Sequence, residues 1–127
     1  MVDSRTCVRD AAGAEACSTI SDMLARVGDK WSLLIVRTLG AGPLRFNELR
    51  RQIDGISQKM LSSTLKVLER DGLVSRSVLA TVPPQVEYAL TDLGYELLGP
   101  VRELAQWTVA NTPRIVSARA AYDARSV

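Results

Sequence analysis

Apolar residues recur at helical spacing from Ser18 onward, at Ile20, Met23, Leu24 and Val27, and Gly28 closes the run. Asp29 is a natural N-cap for a second helix, in which Trp31, Leu34, Ile35, Thr38 and Leu39 form one stripe that Leu33 and Val36 widen. So apolar a helix is expected to be buried, with Trp31 as a core anchor. Gly40 and Gly42-Pro43 stop it. A short third helix is predicted from Phe46 to Ile53, with Phe46, Leu49 and Ile53 on its core face. Asp54-Gly55 then signals a turn, and Ser57 is an N-cap for a fourth helix running to about Asp71, closed by Gly72 at the C′ position.

Beyond Gly72 the period changes. Leu73 to Leu79 reads as a strand, Pro83-Pro84 blocks ladder bonding at a tip, and Val86 to Leu90 reads as the return strand. Thr91 or Asp92 can cap a last amphipathic helix through Leu93, Leu97, Val101, Leu104 and Ala105 toward Asn111, with a kink or break at Gly99-Pro100. Residues 1–16 are small and polar, as in a flexible arm. Residues 112–127, an Ala/Arg-rich tail of weak periodicity, are expected to be loosely ordered. The domain is therefore placed at 17–111. Its class is mainly α with a small β-hairpin wing (α+β), in the order of a winged helix-turn-helix.

On a helical wheel, Leu61, Leu65 and Leu68 of the fourth helix cluster on one side with Thr64 at the margin. Lys59, Ser63, Lys66 and Arg70 fall opposite, with Ser62 and Gln58 on one flank. One face is sealed to a core, and the other offers cations for phosphates and short polar groups for base edges. A Lys/Ser face also serves solubility alone; the preceding short helix, the Gly turn and the following hairpin favour DNA. Ser57, at the helix N-terminus, and Arg45, at the start of the short helix, join the candidate contacts. Gln85 at the wing tip is a further one. Arg50-Arg51 stay open between contact and solvated charge.

Charge adds to this only by its distribution. The net +2 of the 127 residues argues for no partner, but Arg37 to Arg76 holds eight Lys/Arg against four Asp/Glu, and the rest eight against ten. A positive field thus sits on the helix-turn-helix segment. The chain has no His, no paired-Cys metal spacing, no Gly-rich phosphate loop and no nucleophile motif. An enzyme, a metal site and a cofactor are accordingly not expected. The N-terminal stretch lacks the apolar core of a signal peptide, and no apolar run reaches the roughly 18 residues that span a bilayer. With two cysteines and no export signal, a reducing cytoplasm is expected rather than a disulfide scaffold.

One set of motifs runs the length of the domain: Cys17 before a helix, Gly28-Asp29-Lys30-Trp31-Ser32-Leu33-Leu34-Ile35, Gly42-Pro43-Leu44-Arg45-Phe46-Asn47-Glu48-Leu49 and Gly55-Ile56-Ser57-Gln58-Lys59-Met60-Leu61. Leu68 to Val74 and Val82 to Tyr88 complete it, over roughly Cys17 to Trp107. In these residues the chain resembles the HxlR-type regulators, a MarR-related branch of bacterial winged-helix transcription factors. The resemblance implies a homodimer held by the first and last helices, with two recognition helices reading a pseudo-palindromic operator in double-stranded DNA. It also implies a thiol sensor at Cys17 in some relatives, and a thiolate beside a helix N-terminus is the reactive form. Burial of Cys17 at the dimer interface without sensing is the other reading, and Cys7 reads as incidental unless the arm folds back to pair it with Cys17. The chain departs from the pattern at Ser18, where Pro is frequent, at Gln85, where a basic residue is frequent, and at Leu79-Ala80 in the wing.

The expected function is a homodimeric, sequence-specific transcriptional regulator, a repressor rather than an activator. It would respond to redox or electrophile stress through Cys17. A small apolar effector between the dimerisation helices and the core would be compatible with this arrangement. The alternative is a winged-helix protein-interaction module without DNA readout, against which the cationic face of the fourth helix counts.

Overall fold

Five helices and three strands follow the apolar pattern: α1 (Ala11–Gly28), α2 (Lys30–Leu39), β1 (Leu44–Arg45), α3 (Phe46–Gln52), α4 (Gln58–Arg70), β2 (Val74–Leu79), β3 (Gln85–Leu90) and α5 (Asp92–Arg125). The computed structural model describes residues 11–125, with side chains from Ala16 onward. Leu61, Leu65 and Leu68 of α4 meet Ile35, Val36 and Leu39 of α2 and Leu49 of α3, and Ile53, Ile56, Leu73, Val74, Leu90 and Leu98 complete one core. At roughly 1.5–3 kcal/mol per buried aliphatic side chain, this cluster is the main term holding α2, α3, α4 and the base of the hairpin together.

The caps sit where the sequence placed them. Asp29 accepts the Ser32 N–H at 3.2 Å and its hydroxyl at 2.7 Å, which is why Ser32 can be buried on the α2 stripe. Ser57 Oγ accepts the Met60 N–H at 3.0 Å. After α4 the Leu73 N–H reaches the Leu68 carbonyl and the Gly72 N–H the Glu69 carbonyl, each at 3.0 Å, a Schellman closure with Gly72 at φ +78°. Thr91 caps α5, its hydroxyl accepting the Gly94 N–H at 3.1 Å and donating to the Gly72 carbonyl at 2.6 Å.

The sheet has the order β1-β3-β2, antiparallel throughout, with Leu44 opposite Tyr88 and Val74 opposite Leu90. β1 is a two-residue edge strand that periodicity is too short to reveal. It fixes the start of α3 beside the wing, where the Phe46 and Tyr88 rings lie 6.4 Å apart at 53°. Val74 and Leu90 anchor the base of the hairpin in the core, while Ser75 to Val78 are exposed.

Four expectations are corrected. α1 begins at Ala11, not Ser18, so residues 11–16 are helix rather than arm. Residues 112–125 continue α5 rather than forming a loose tail, and the helix runs unbroken through Pro100 and Pro113. A proline costs a helix one hydrogen bond, and regular turns on both sides carry the chain past it. In α2 the buried stripe is Ser32, Ile35, Val36 and Leu39, with Trp31 only partly buried against the core and Lys30 Nζ 4.8 Å from its ring. In α5 the buried residues are Gly94, Leu98 and Val101, while Leu93 and Leu104 face outward. No helix among the described residues is long and apolar enough to cross a membrane.

Candidate nucleic-acid interface

The wheel of α4 is realised in space. Leu61, Thr64, Leu65 and Leu68 are buried, and Gln58, Lys59, Ser63, Lys66 and Arg70 are exposed, with Ser62 between them. Lys59 and Arg70 are eleven residues apart, about 16 Å along the axis at 1.5 Å per residue. None of the cations on this face is tied up, since the ion pair among the described residues joins Arg26 Nε to Asp71 Oδ2 at 2.7 Å, elsewhere.

The hydroxyls are less free than the cations. Ser57 uses its oxygen to cap α4, and Ser63 donates its hydroxyl to the Met60 carbonyl at 3.1 Å. Ser63 also lines a small cleft with Arg26, Asp29 and Ser32, on the flank of α4 that looks to the α1–α2 turn. Met60 escapes sequence reasoning: an apolar residue inside a core-forming motif, it stands 42% exposed near the N-terminus of α4. A wheel centred on the leucines gives the only signal, because Met60 lies well off their axis.

Arg45 and Gln85 come together away from the α4 stripe. Both line a cleft of about 550 Å³ between α3 and the wing. Arg45 is exposed and its backbone N–H donates to Glu48 Oε1 at 2.9 Å, while Gln85 is partly buried at the end of the β2–β3 ladder, opposite Leu79. Thr81 shapes the tip, donating its hydroxyl to the Pro83 carbonyl at 2.8 Å.

Cys17 lies on none of these surfaces. It is the seventh residue of α1, partly buried and disulfide-bonded. A position nearly two turns into a helix is beyond the reach of the terminal partial charge, which fades within the first turn. The expected position of Cys17 just before the first helix is thus corrected to one inside α1; Cys7 lies outside the described residues. Among the described residues no three His, Cys, Asp or Glu side chains gather as a metal site would require. A groove of about 490 Å³ runs between α2 and α5, lined by Leu33, Leu34, Arg37, Val101, Leu104 and Val109 among others.

Comparison with known proteins agrees with this geometry. The HTH-type transcriptional regulator YtfH of Escherichia coli (strain K12) is 42% identical over 106 residues, covering 84% of this chain and 83% of the relative. The redox regulator HypR in its reduced form superposes with a TM-score of 0.72 at 37% identity, over 78% of this chain and 98% of that one. The reduced form of the transcriptional regulator YodB from Bacillus subtilis does so with a TM-score of 0.66 at 38% identity, over 71% of this chain and 88% of that one. The family model described as HxlR-like helix-turn-helix matches residues 26–116, a span that holds α2 to α4, the wing and most of α5. With its buried leucine seam, cationic recognition face and wing in that order, the chain belongs to the HxlR-like helix-turn-helix family of transcriptional regulators.

Proposed function

We propose that the protein is a homodimeric repressor whose α4 enters the major groove of a pseudo-palindromic operator. The observation that carries this reading is the division of α4 into a buried leucine seam and an exposed face of unpaired cations. Lys59, Lys66 and Arg70 neutralise phosphates on the groove walls, and Gln58, Ser62 and Ser63 reach base edges. The Ser57 hydroxyl proton is left to donate to a phosphate. Exposed Met60 offers apolar contact to a thymine methyl. A protein working on operator DNA in this way resides in the cytoplasm.

The dimer is supported by apolar side chains left outside the core on the two flanking helices, among them Ile20 and Leu24 of α1 and Leu104, Trp107 and Val109 of α5, each 44–75% exposed. So large an unpartnered apolar surface is uncommon on a monomer. A two-fold axis through these helices would set two α4 segments about one DNA turn apart. The α2–α5 groove is where a small apolar effector would bear on the core.

Control by oxidation is the second part of the proposal. Cys17 passes between thiol and disulfide, a loss of two electrons and two protons from two thiols that an oxidant such as diamide takes up. Its support is the disulfide at Cys17 and the redox descriptions borne by HypR and YodB.

Reversal of both lysines (Lys59→Glu with Lys66→Glu) is expected to abolish operator binding in a gel-shift titration while circular dichroism stays native. Undiminished affinity across salt concentrations would refute the α4 assignment. For the sensor, DNA affinity with and without diamide is compared in the native chain and in Cys17→Ser. An oxidant effect confined to the native chain supports it, and an equal response in both removes Cys17 from the mechanism.

A further inference from the structure

The tip of the wing is short of charge, because Ala80 to Gln85 contains no Lys or Arg. The fold brings cations to it from another element. The cleft beside the wing is walled by Pro83, Pro84 and Gln85 on one side and by Arg45, Asn47 and Arg51 on the other. Asn47 and Arg51 are four residues apart on α3, so they share one helix face. Arg45 reaches the same space because β1 pairs with β3, setting Arg45 opposite Glu87 at the foot of the wing.

The electrostatics of the cleft suit an anion. Arg45 and Arg51 are both exposed, and neither enters an ion pair among the described residues. Glu48 lines the cleft as well and keeps its charge while accepting the Arg45 backbone N–H, so two guanidinium groups against one carboxylate leave the lining net positive. Asn47 adds an amide donor. Two guanidinium groups and an amide around an open cleft of about 550 Å³ make a place for one tetrahedral oxyanion with room to spare. Arg50, the neighbour of Arg51, does not line this cleft. It lines an adjoining, smaller cleft of about 310 Å³, which Asn47, Arg51, Asp54 and Gly55 border as well, so Arg51 stands between the two clefts and Arg50 faces the smaller one alone.

We infer that Arg51, together with Arg45, holds a backbone phosphate of the bound DNA in the cleft between α3 and the wing. The wing side of the complex is then anchored by α3, and the wing tip contributes shape and the Gln85 amide rather than charge. This rests on the reading of α4 as the DNA-contacting helix: with α4 in the major groove and the wing alongside, the phosphate strand between them passes the α3–wing cleft.

The test uses the full chain and a fluorescein-labelled mixed-sequence duplex, with anisotropy titrations between about 50 and 200 mM salt. Removing one cation from a phosphate reduces the slope of log Kobs against log[salt] by about 0.9. Arg51→Gln is expected to lower the slope by about 0.9 and Arg45→Gln with Arg51→Gln by about 1.8, while Arg51→Lys keeps it near the native value. Arg50→Gln is expected to leave the slope unchanged. A native slope in Arg51→Gln, or an equal decrease in Arg50→Gln, would overturn the inference, the latter because only net charge would then matter. Failure of the α4 reading shows separately, as undiminished binding by the Lys59→Glu, Lys66→Glu protein or as no binding by the native chain, and either result overturns the cleft assignment too. Native circular dichroism of each variant ties the slopes to the phosphate interaction rather than to folding.

Discussion

Ser57 caps α4 by accepting the Met60 N–H, one of four N–H groups that no carbonyl of the helix can satisfy. Ser57→Ala removes that acceptor and is expected to cost about 1 kcal/mol in a urea melt, with a larger relative loss of DNA affinity because the same residue stands at the proposed phosphate contact. Gly94 is constrained from the opposite direction. A Cβ there would lie 2.2 Å from the Leu73 carbonyl oxygen and 3.1 Å from a Leu90 methyl. Backbone cannot swing aside as a lysine tip would, so Gly94→Ala should destabilise by about 1–3 kcal/mol. A calorimetric scan would check this; a melting temperature at or above native would show that α5 can ride off the hairpin freely. Both residues are readable in sequence only as types, a capping serine and a helical glycine. What each touches follows from long-range packing.

At the scale of elements, α4 is held from both ends. Its C-cap Asp71 accepts from Arg26 at 2.7 Å, tying the last turn of α1 to the end of α4. Both side chains are about one-fifth exposed, so solvent screening limits the pair, and a double-mutant cycle on Arg26→Gln and Asp71→Asn is expected to give about 1 kcal/mol of coupling. The centre of α4 matters more for stability. Leu65 is 1% exposed, and Leu65→Ala should cost about 2–5 kcal/mol from reduced burial and an unfilled cavity. That change leaves the cationic face untouched, so any folded fraction should bind DNA normally. The α4 partition was legible because a strong 3.6-residue period and three close leucines admit one orientation. α2 was harder to read: nearly every position is apolar, and only its neighbours decide that Ser32 turns inward while Leu33 and Leu34 border the groove with α5.

For the whole molecule, the flanking helices set the expected assembly. Trp107 is 59% exposed on a helix of 34 residues, about 50 Å at the usual rise, most of which extends past the core. Trp107→Glu is expected to shift the protein toward monomer in sedimentation velocity. DNA affinity should fall with it, since a dimer binds its second half-site at high effective concentration. An unchanged sedimentation coefficient would place the dimer contact away from this part of α5.

The sequence by itself determined the order of elements from α2 to the end of the hairpin, the caps at Asp29, Ser57 and Gly72, and the sealed and open faces of α4. These depend on local hydrogen bonding and on periods shorter than one element, which neighbouring residues encode directly. Only the tertiary structure decided the rest. It paired the two residues of β1 with β3, began α1 early enough to place Cys17 inside it, and set Arg51 across from the wing. Each of these depends on which distant segment is adjacent, and packing of the whole core selects that where no local pattern can.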